Sequence, residues 1–238
     1  MAQFHFVEDY ERLVADLLAV HPRDEAMAMA VGGSFEQVGR KEVEILAERG
    51  VRDGVSVLDL GCGSGRLAIA LAASYRLNYV GTDIVQALLD YADEKTPEDY
   101  RFILHRDLSV PVPNASIDVA CAFSVFTHLL HSESYLYLED IRRALKPGGV
   151  VVFSFLEFGD QSEPDRDRHW QPFEALVDQQ RLLGDATRMH LNLLIERNAI
   201  AAWARHLDYE LLEINAHTGL GQTVAVLRKP DGGNGDAE

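Results

Sequence analysis

Basic residues are few in this chain: 22 lysines and arginines stand against 38 aspartates and glutamates in 238 residues, a formal net charge of −16. That balance excludes the basic stripe by which a protein grips a nucleic-acid backbone. It favours a solvated, acidic surface. Cysteine is scarcer still, with Cys62 and Cys121 alone. Two thiols make neither a disulfide framework nor a zinc quartet, which points to a reducing compartment and so to a cytoplasmic protein. No run approaches the roughly 20 apolar residues of a membrane helix. Met1 to Tyr10 has early acids and no apolar core, so a secretory leader is not expected there. Repeats and low-complexity segments are also missing. What remains is an ordinary hydrophobic content of 47%, enough for one α/β domain or a domain with a small appendage.

The chain is organised around Val57-Leu58-Asp59-Leu60-Gly61-Cys62-Gly63-Ser64-Gly65-Arg66. The apolar run Val55 to Leu60 reads as a short buried strand, and Leu67 to Tyr75 as a helix. Between them, Gly61, Gly63 and Gly65 permit positive φ and close approach of backbone N–H groups to a ligand. A helix start behind such a loop adds unpaired N–H groups and partial positive charge. Strand, loop and helix thus form a seat for an anionic or polar, nucleotide-like ligand. An ordinary tight turn is the alternative for any lone glycine loop. The spacing departs from the dinucleotide fingerprint, which disfavours an NAD-dependent oxidoreductase, and it lacks the G-K-[ST] ending of a phosphate loop.

Taken in order, Tyr10, Leu13, Val14, Leu17 and Leu18 mark an amphipathic helix that ends near His21-Pro22. Met27 to Phe35 reads as a linker. Ser34 with Gln37 suggests a capping box for a helix running to about Arg49 and stopped by Gly50. Strands are expected at Asn78 to Thr82, Tyr100 to His105, Ile117 to Phe123 and Val150 to Leu156, with helical faces around Leu88 and Leu138 between them. Lys146-Pro147-Gly148-Gly149 reads as a turn. Glu157 to Asn198 breaks the rhythm; a helix around Trp203 and a strand pair, Glu210 to Ile214 and Thr223 to Leu227, close the domain. Alternating strands and helices, with strands apolar on both faces, give a doubly wound, mainly parallel sheet in three layers. The expected divisions are a helical cap at 1–50, a core domain at 51–230 with an insert at 157–198, and a disordered acidic tail at 231–238.

Ligands of such sheets sit at the carboxyl ends of the strands. Asp83 ends the second strand, 22 residues after Gly61, where an acid can accept two hydrogen bonds from a ribose diol or else cap the next helix. Asp107-Leu108 follows the third strand; the carboxylate suits an exocyclic amine, or a turn. Phe123-Ser124 ends the fourth, where an aromatic can face a cation or belong to the core.

The sequence Asp59-Leu60-Gly61-Cys62-Gly63-Ser64-Gly65 resembles motif I of the class I S-adenosylmethionine-dependent methyltransferases, D-x-G-x-G-x-G, at every position. With Asp83, Asp107-Leu108, Ile117 to Phe123 and the Leu145 to Gly149 turn, the resemblance runs from about residue 30 to 157. Val31 to Phe35 with Gly39-Arg40, and Phe123 to Leu129, are similar to bacterial small-molecule members. The resemblance implies the Rossmann-like methyltransferase fold, with seven strands, one of them antiparallel. It implies S-adenosylmethionine as cofactor. It assigns cofactor binding to Arg40, Asp59, Gly61, Cys62, Gly63, Gly65, Arg66, Asp83, Ile84, Asp107, Leu108, Phe123 and Ser124, with Arg66 or Arg40 meeting the methionine carboxylate. No Asn/Asp-Pro-Pro-Tyr follows the fourth strand, so the signature of DNA amino-group methylation is missing.

The expected activity is methyl transfer to an O or N atom of a small molecule, with a protein side chain or a catalytically idle scaffold as alternatives. His128 is the candidate general base, because imidazole titrates near neutral pH. His131 and Tyr135 share its face if that segment is helical. No metal site is expected. The insert, with His169-Trp170 and Phe173, is expected to line or lid the acceptor pocket, opposite the first helix; a homodimer contact is the other use for those aromatics.

Overall fold

The computed structural model describes residues 7–158, 192–217 and 219–232. Three helices come first: α1 (Val7–Val20), α2 (Arg23–Ala30) and α3 (Phe35–Ala47). α1 stops before His21-Pro22, as its periodicity predicts. α2 replaces the front of the expected linker. Pro22 at its N-cap has φ −54°, already suited to helix entry, and Asp24 and Glu25 favour its positive end. Its two buried residues, Ala26 and Met27, are too few for a periodic signal. Ser34 is the N-cap of α3, but its side chain makes no capping bond, so the expected box with Gln37 does not form.

The core then alternates: β1 (Ser56–Leu60), α4 (Arg66–Ala72), β2 (Asn78–Asp83), α5 (Gln86–Lys95), β3 (Arg101–Leu104), β4 (Ile117–Ala122), α6 (His131–Ala144) and β5 (Leu145–Glu157). After residue 192 come β6 (Leu194–Ile195), α7 (Arg197–His206), β7 (Glu210–His217) and β8 (Gln222–Arg228). The sheet order is β3-β2-β1-β4-β5-β8-β7, with only β8 antiparallel to its neighbours. These are the seven strands expected. The short β6, pairing in parallel with the end of β5, is an eighth that two residues could not announce in the sequence.

Lys146-Pro147-Gly148-Gly149 is not a turn between elements but an irregularity inside β5. Ile117 pairs with Leu145 and Val119 with Val150, so four residues bulge opposite Asp118. Gly148 takes φ +75°, and Pro147 has no N–H to lose from the ladder. The insert is also narrower than its predicted bounds. Phe158 N–H donates to Ile195 O, and α7 begins at Arg197, so 194–198 belong to the fold. The aromatics His169, Trp170 and Phe173, and the tail beyond Gly232, lie outside the described residues.

Both sheet faces are covered. Leu58, Ala120, Val151 and Phe153 pack with Leu138 and Ile141 of α6 and Ile200 of α7. Val57, Tyr79, Cys121 and Val152 pack with Ile45 and Leu46 of α3 and Leu67 and Leu71 of α4. The strand order reverses between β1 and β4. The carboxyl ends there face α1, whose Val14 packs with Met27 of α2 and Val85 and Leu88 beside and on α5.

Candidate active site

A cavity opens at the carboxyl ends of β1, β2 and β4, walled by Asp59 to Gly63, Thr82 to Ile84 and Phe123 to Val125. Tyr10, Val31, Glu42, Arg66, His105, His128 and Tyr137 complete it. The glycine loop takes the backbone its composition calls for: φ is +71° at Gly61, +55° at Gly63 and +83° at Gly65. A Cβ on Gly63 would stand 2.5 Å from Val31, and one on Gly61 would run into Val125, both wall residues. Most of the loop's N–H groups are bonded within the fold. Gly61 and Cys62 donate to Thr82 O at 2.8 and 2.9 Å, Gly63 to Asp83 Oδ2 at 2.9 Å, and Gly65 to Cys62 O at 3.1 Å. Three of these four donors go to β2 and one to the loop itself.

The wall is acidic. Asp83 lines the cavity and accepts from Gly63 N–H at 2.9 Å and from Val85 N–H at 3.0 Å. Burial raises its pKa against those two bonds. It does not cap the next helix as the alternative had it: the N-cap of α5 is Val85, with no side-chain bond to the helix. Asp59 stands opposite Gly81 in the β1–β2 register and accepts the Tyr79 hydroxyl at 2.6 Å. Burial pushes its pKa up to about 7. Glu42 lies on the buried face of α3, with a pKa also raised by burial although Arg66 reaches it at 2.6 Å. Arg66 is the one lysine or arginine in the lining, and it is committed: Nε and Nη2 to Glu42, Nη1 to Val31 O and Gly32 O. A phosphate would meet carboxyls without a free cation among the described residues, whereas a cationic ligand would meet complementary charge. Thr82 Oγ1 is buried in this wall with no partner, a polar atom that a ligand could satisfy.

Residues 58–153 match the family model described as a methyltransferase domain. That segment is a methyltransferase domain of the class I S-adenosylmethionine-dependent kind. Among curated relatives, the demethylmenaquinone methyltransferase of Staphylococcus aureus is 35% identical over 127 residues, 50% of each chain. The 2-methyl-6-phytyl-1,4-hydroquinone methyltransferase of Synechocystis is 31% identical over 101 residues, 42% of this chain and 31% of that one. The chain thus spans half or less of the length of these two relatives. Among solved structures, magnesium protoporphyrin IX methyltransferase from Synechocystis with bound S-adenosylhomocysteine superposes with TM-score 0.62. That match covers 93% of both chains at 16% identity, a likeness of fold.

The structure gathers most of the predicted site residues. Asp59, Gly61, Cys62, Gly63, Arg66, Asp83, Ile84, Phe123, Ser124 and His128 all line the cavity. Gly65 works from behind, where a Cβ would stand 2.7 Å from Ala92 of α5. Arg40 is not in the lining; it is exposed and lies 3.6 Å from Glu36. Arg66 is not available to a ligand carboxylate in the way expected, because Glu42 and two carbonyls occupy it. Asp107 is exposed and Leu108 packs partly buried against the core; neither lines the cavity, although Tyr137 donates to Asp107 O at 3.1 Å. His128 precedes α6, which starts at His131, so the shared helical face does not exist. His131 instead meets Leu194 O at 3.2 Å and the Trp203 ring, and Tyr135 meets His206.

Sequence reading missed Tyr10, Glu42, Thr82, His105 and Tyr137. Glu42 did leave a signal, being a charge on the apolar face of α3 beside Gly39, Ile45 and Leu46. His105 also left one, standing just past β3, two residues before the Asp107 that was chosen. Tyr10 lay in the predicted first helix, but only the tertiary fold brings its ring edge-on to His128, with centroids 5.7 Å apart. Among the described residues no group of three or more His, Cys, Asp or Glu could hold a metal ion, and no helix is long and apolar enough to cross a membrane.

Proposed function

We propose that this methyltransferase moves a methyl group from S-adenosylmethionine to an oxygen or nitrogen of a small-molecule acceptor. The observation that carries the reading is the acidic cavity at an inward-bonded glycine loop, which suits a sulfonium nucleoside and opposes a dinucleotide pyrophosphate. Asp83 would hold the ribose hydroxyls with the lone pairs that Gly63 and Val85 leave unused. Thr82 Oγ1 and the carboxyls of Asp59 and Glu42 would face the polar and cationic parts. When bound, the cofactor supplies a methyl group that its sulfonium has already activated. The protein's part is then to orient the acceptor and exclude water.

A second cavity adjoins the first and shares Phe123, Ser124 and His128 with it. Its about 350 Å³ are the space for the acceptor. His128, on the shared wall, is placed to take a proton from the accepting atom. The named relatives, acting on quinone-type molecules, support a small-molecule acceptor.

Calorimetry with S-adenosylhomocysteine and NAD, run side by side, tests the cofactor; tighter binding of NAD would refute the reading. Transfer of a radiolabelled methyl group into a metabolite extract tests the activity. His128→Ala should cut turnover on a hydroxyl acceptor by about 10²–10⁴ and remove an ascending pH limb, leaving cofactor binding intact. Full activity across pH in that variant would leave transfer resting on positioning alone.

A further inference from the structure

The second cavity carries information about the acceptor. Its titratable residues are Glu42 and Arg66, which neutralise each other, and His128. Val31, Val38, Phe123, Leu156 and Leu220 supply its apolar half, and the other half is polar. Against that surface stands a circuit of neutral polar groups from three strand ends. Ser124 N–H donates to Ser154 Oγ at 2.7 Å, the Ser154 hydroxyl donates to Gln222 Oε1 at 2.5 Å, and Gln222 Nε2 donates to Ser124 Oγ at 3.0 Å. Ser124 holds this position with φ +59°, a left-handed backbone that a residue with a Cβ rarely adopts and that tends to collect at functional sites.

The circuit leaves one donor over and another loosely held. Ser124 and Ser154 both donate to the Gln222 oxygen, which has a lone pair for each, and the Ser124 bond is the longer at 3.3 Å. A nearer acceptor can replace that long bond, and Nε2 of Gln222 carries a second N–H beyond the one given to Ser124. Ser124 and Gln222 both line the cavity and are only partly buried. An acceptor bearing phosphate or carboxylate would find no uncommitted lysine or arginine among the described lining residues, and desolvating its charge would be costly. An oxygen without charge would take the second Gln222 N–H and draw the Ser124 hydroxyl from its long bond.

We infer that Ser124 and Gln222 recognise a neutral oxygen, a ring hydroxyl or carbonyl, on an acceptor without charge; this rests on the methyl-transfer reading above. The test loads the protein with S-adenosylhomocysteine and titrates it by calorimetry with 2-naphthol and with 2-naphthoate, one ring system with and without charge. 2-Naphthol should bind, and the carboxylate about tenfold or more weakly. Gln222→Met, similar in length but without the amide, should weaken 2-naphthol by about three- to tenfold and leave S-adenosylhomocysteine affinity unchanged. Ser124→Gly relieves the left-handed backbone, so it should keep or raise the melting temperature while still weakening 2-naphthol. Equal binding of the two probes, no binding of 2-naphthol, or wild-type affinity in both variants overturns the inference alone. No binding of S-adenosylhomocysteine by the wild-type protein overturns the methyl-transfer reading and the inference with it.

Discussion

Asp59 should make folding stability fall as pH rises, and its surroundings give the size of the effect. The side chain is buried in β1, and its pKa moves from 3.8 to about 7 because burial disfavours the charged form more than the Tyr79 hydroxyl favours it. The folded state thus holds this proton more tightly than the unfolded chain does. Below pH 3.8 both states are protonated and stability is at its full value. Between that pH and about 7 the unfolded chain ionises first, so stability is lost progressively, and above 7 the whole loss is in place. Each pH unit in the window carries about 1.4 kcal/mol, so the total is about 4 kcal/mol, with about 2–3 kcal/mol of it falling between pH 5 and 8. Asp59→Asn keeps an acceptor for Tyr79 and removes the titration. Urea unfolding of both proteins at pH 5 and pH 8 gives the difference, in which Asp83 cancels and the charge coupling of Asp59 with Glu42 is included. The wild type should lose about 2–3 kcal/mol more than the variant across that interval. Parallel stability-against-pH curves would refute the burial of an uncompensated carboxyl behind the glycine loop.

Other consequences are open to measurement. Asp83→Ala should cost about 1.5–3 kcal/mol in S-adenosylhomocysteine binding, read by calorimetry, and should also loosen the loop, because Gly63 N–H and Val85 N–H lose their acceptor. Gly61→Ala should destabilise the fold by about 1–3 kcal/mol in urea unfolding, and pairing it with Val125→Ala should recover part of that, because Val125 is what the new Cβ strikes. Affinity for S-adenosylmethionine should rise with pH from 6 to 8 more steeply than affinity for S-adenosylhomocysteine, which lacks the sulfonium charge, by less than about tenfold per pH unit for one coupled carboxyl. Identical pH profiles would show that the acidic wall does not see that charge.

Local pattern carried far in this chain because strands and helices alternate cleanly. The apolar β1 and β4 and the face of α6 announced themselves by period, and the glycine loop by spacing. Pro147 and Gly148 were read as punctuation, and they are; but the chain stays in the sheet, because β4 and β8 hold both flanks of the bulge. α2 escaped notice since eight residues with two buried positions leave no period to see. At the site, strand ends pointed to Asp83, Phe123 and Ser124, which all line the cavity. The arginines misled because sequence shows a charge but not its partner, and Glu42 comes from 24 residues before Arg66. The same blindness applies to the glycine loop: that the N–H groups of Gly61, Cys62 and Gly63 bond β2 is decided by a neighbouring strand.

Both ends of the segment that interrupts the domain are fixed at one place. Glu157 is buried at the end of β5, where it accepts from Arg197 Nε at the start of α7 and from Thr223 Oγ1 of β8 at 2.9 Å. Phe158 and Ile195 close the same joint through the backbone. Whatever chain leaves after residue 158 and returns by residue 192 does so through a single socket, beside the end of the second cavity at Leu156 and Asn192. Closing a loop on a fixed base depends only weakly on its length, roughly 0.6 kcal/mol for each doubling. Segments of different length and composition can therefore be exchanged at this socket while the sheet, the glycine loop and the acidic wall stay as they are. Proteins with foreign segments grafted between residues 158 and 192 should accordingly keep the cooperative unfolding of the parent.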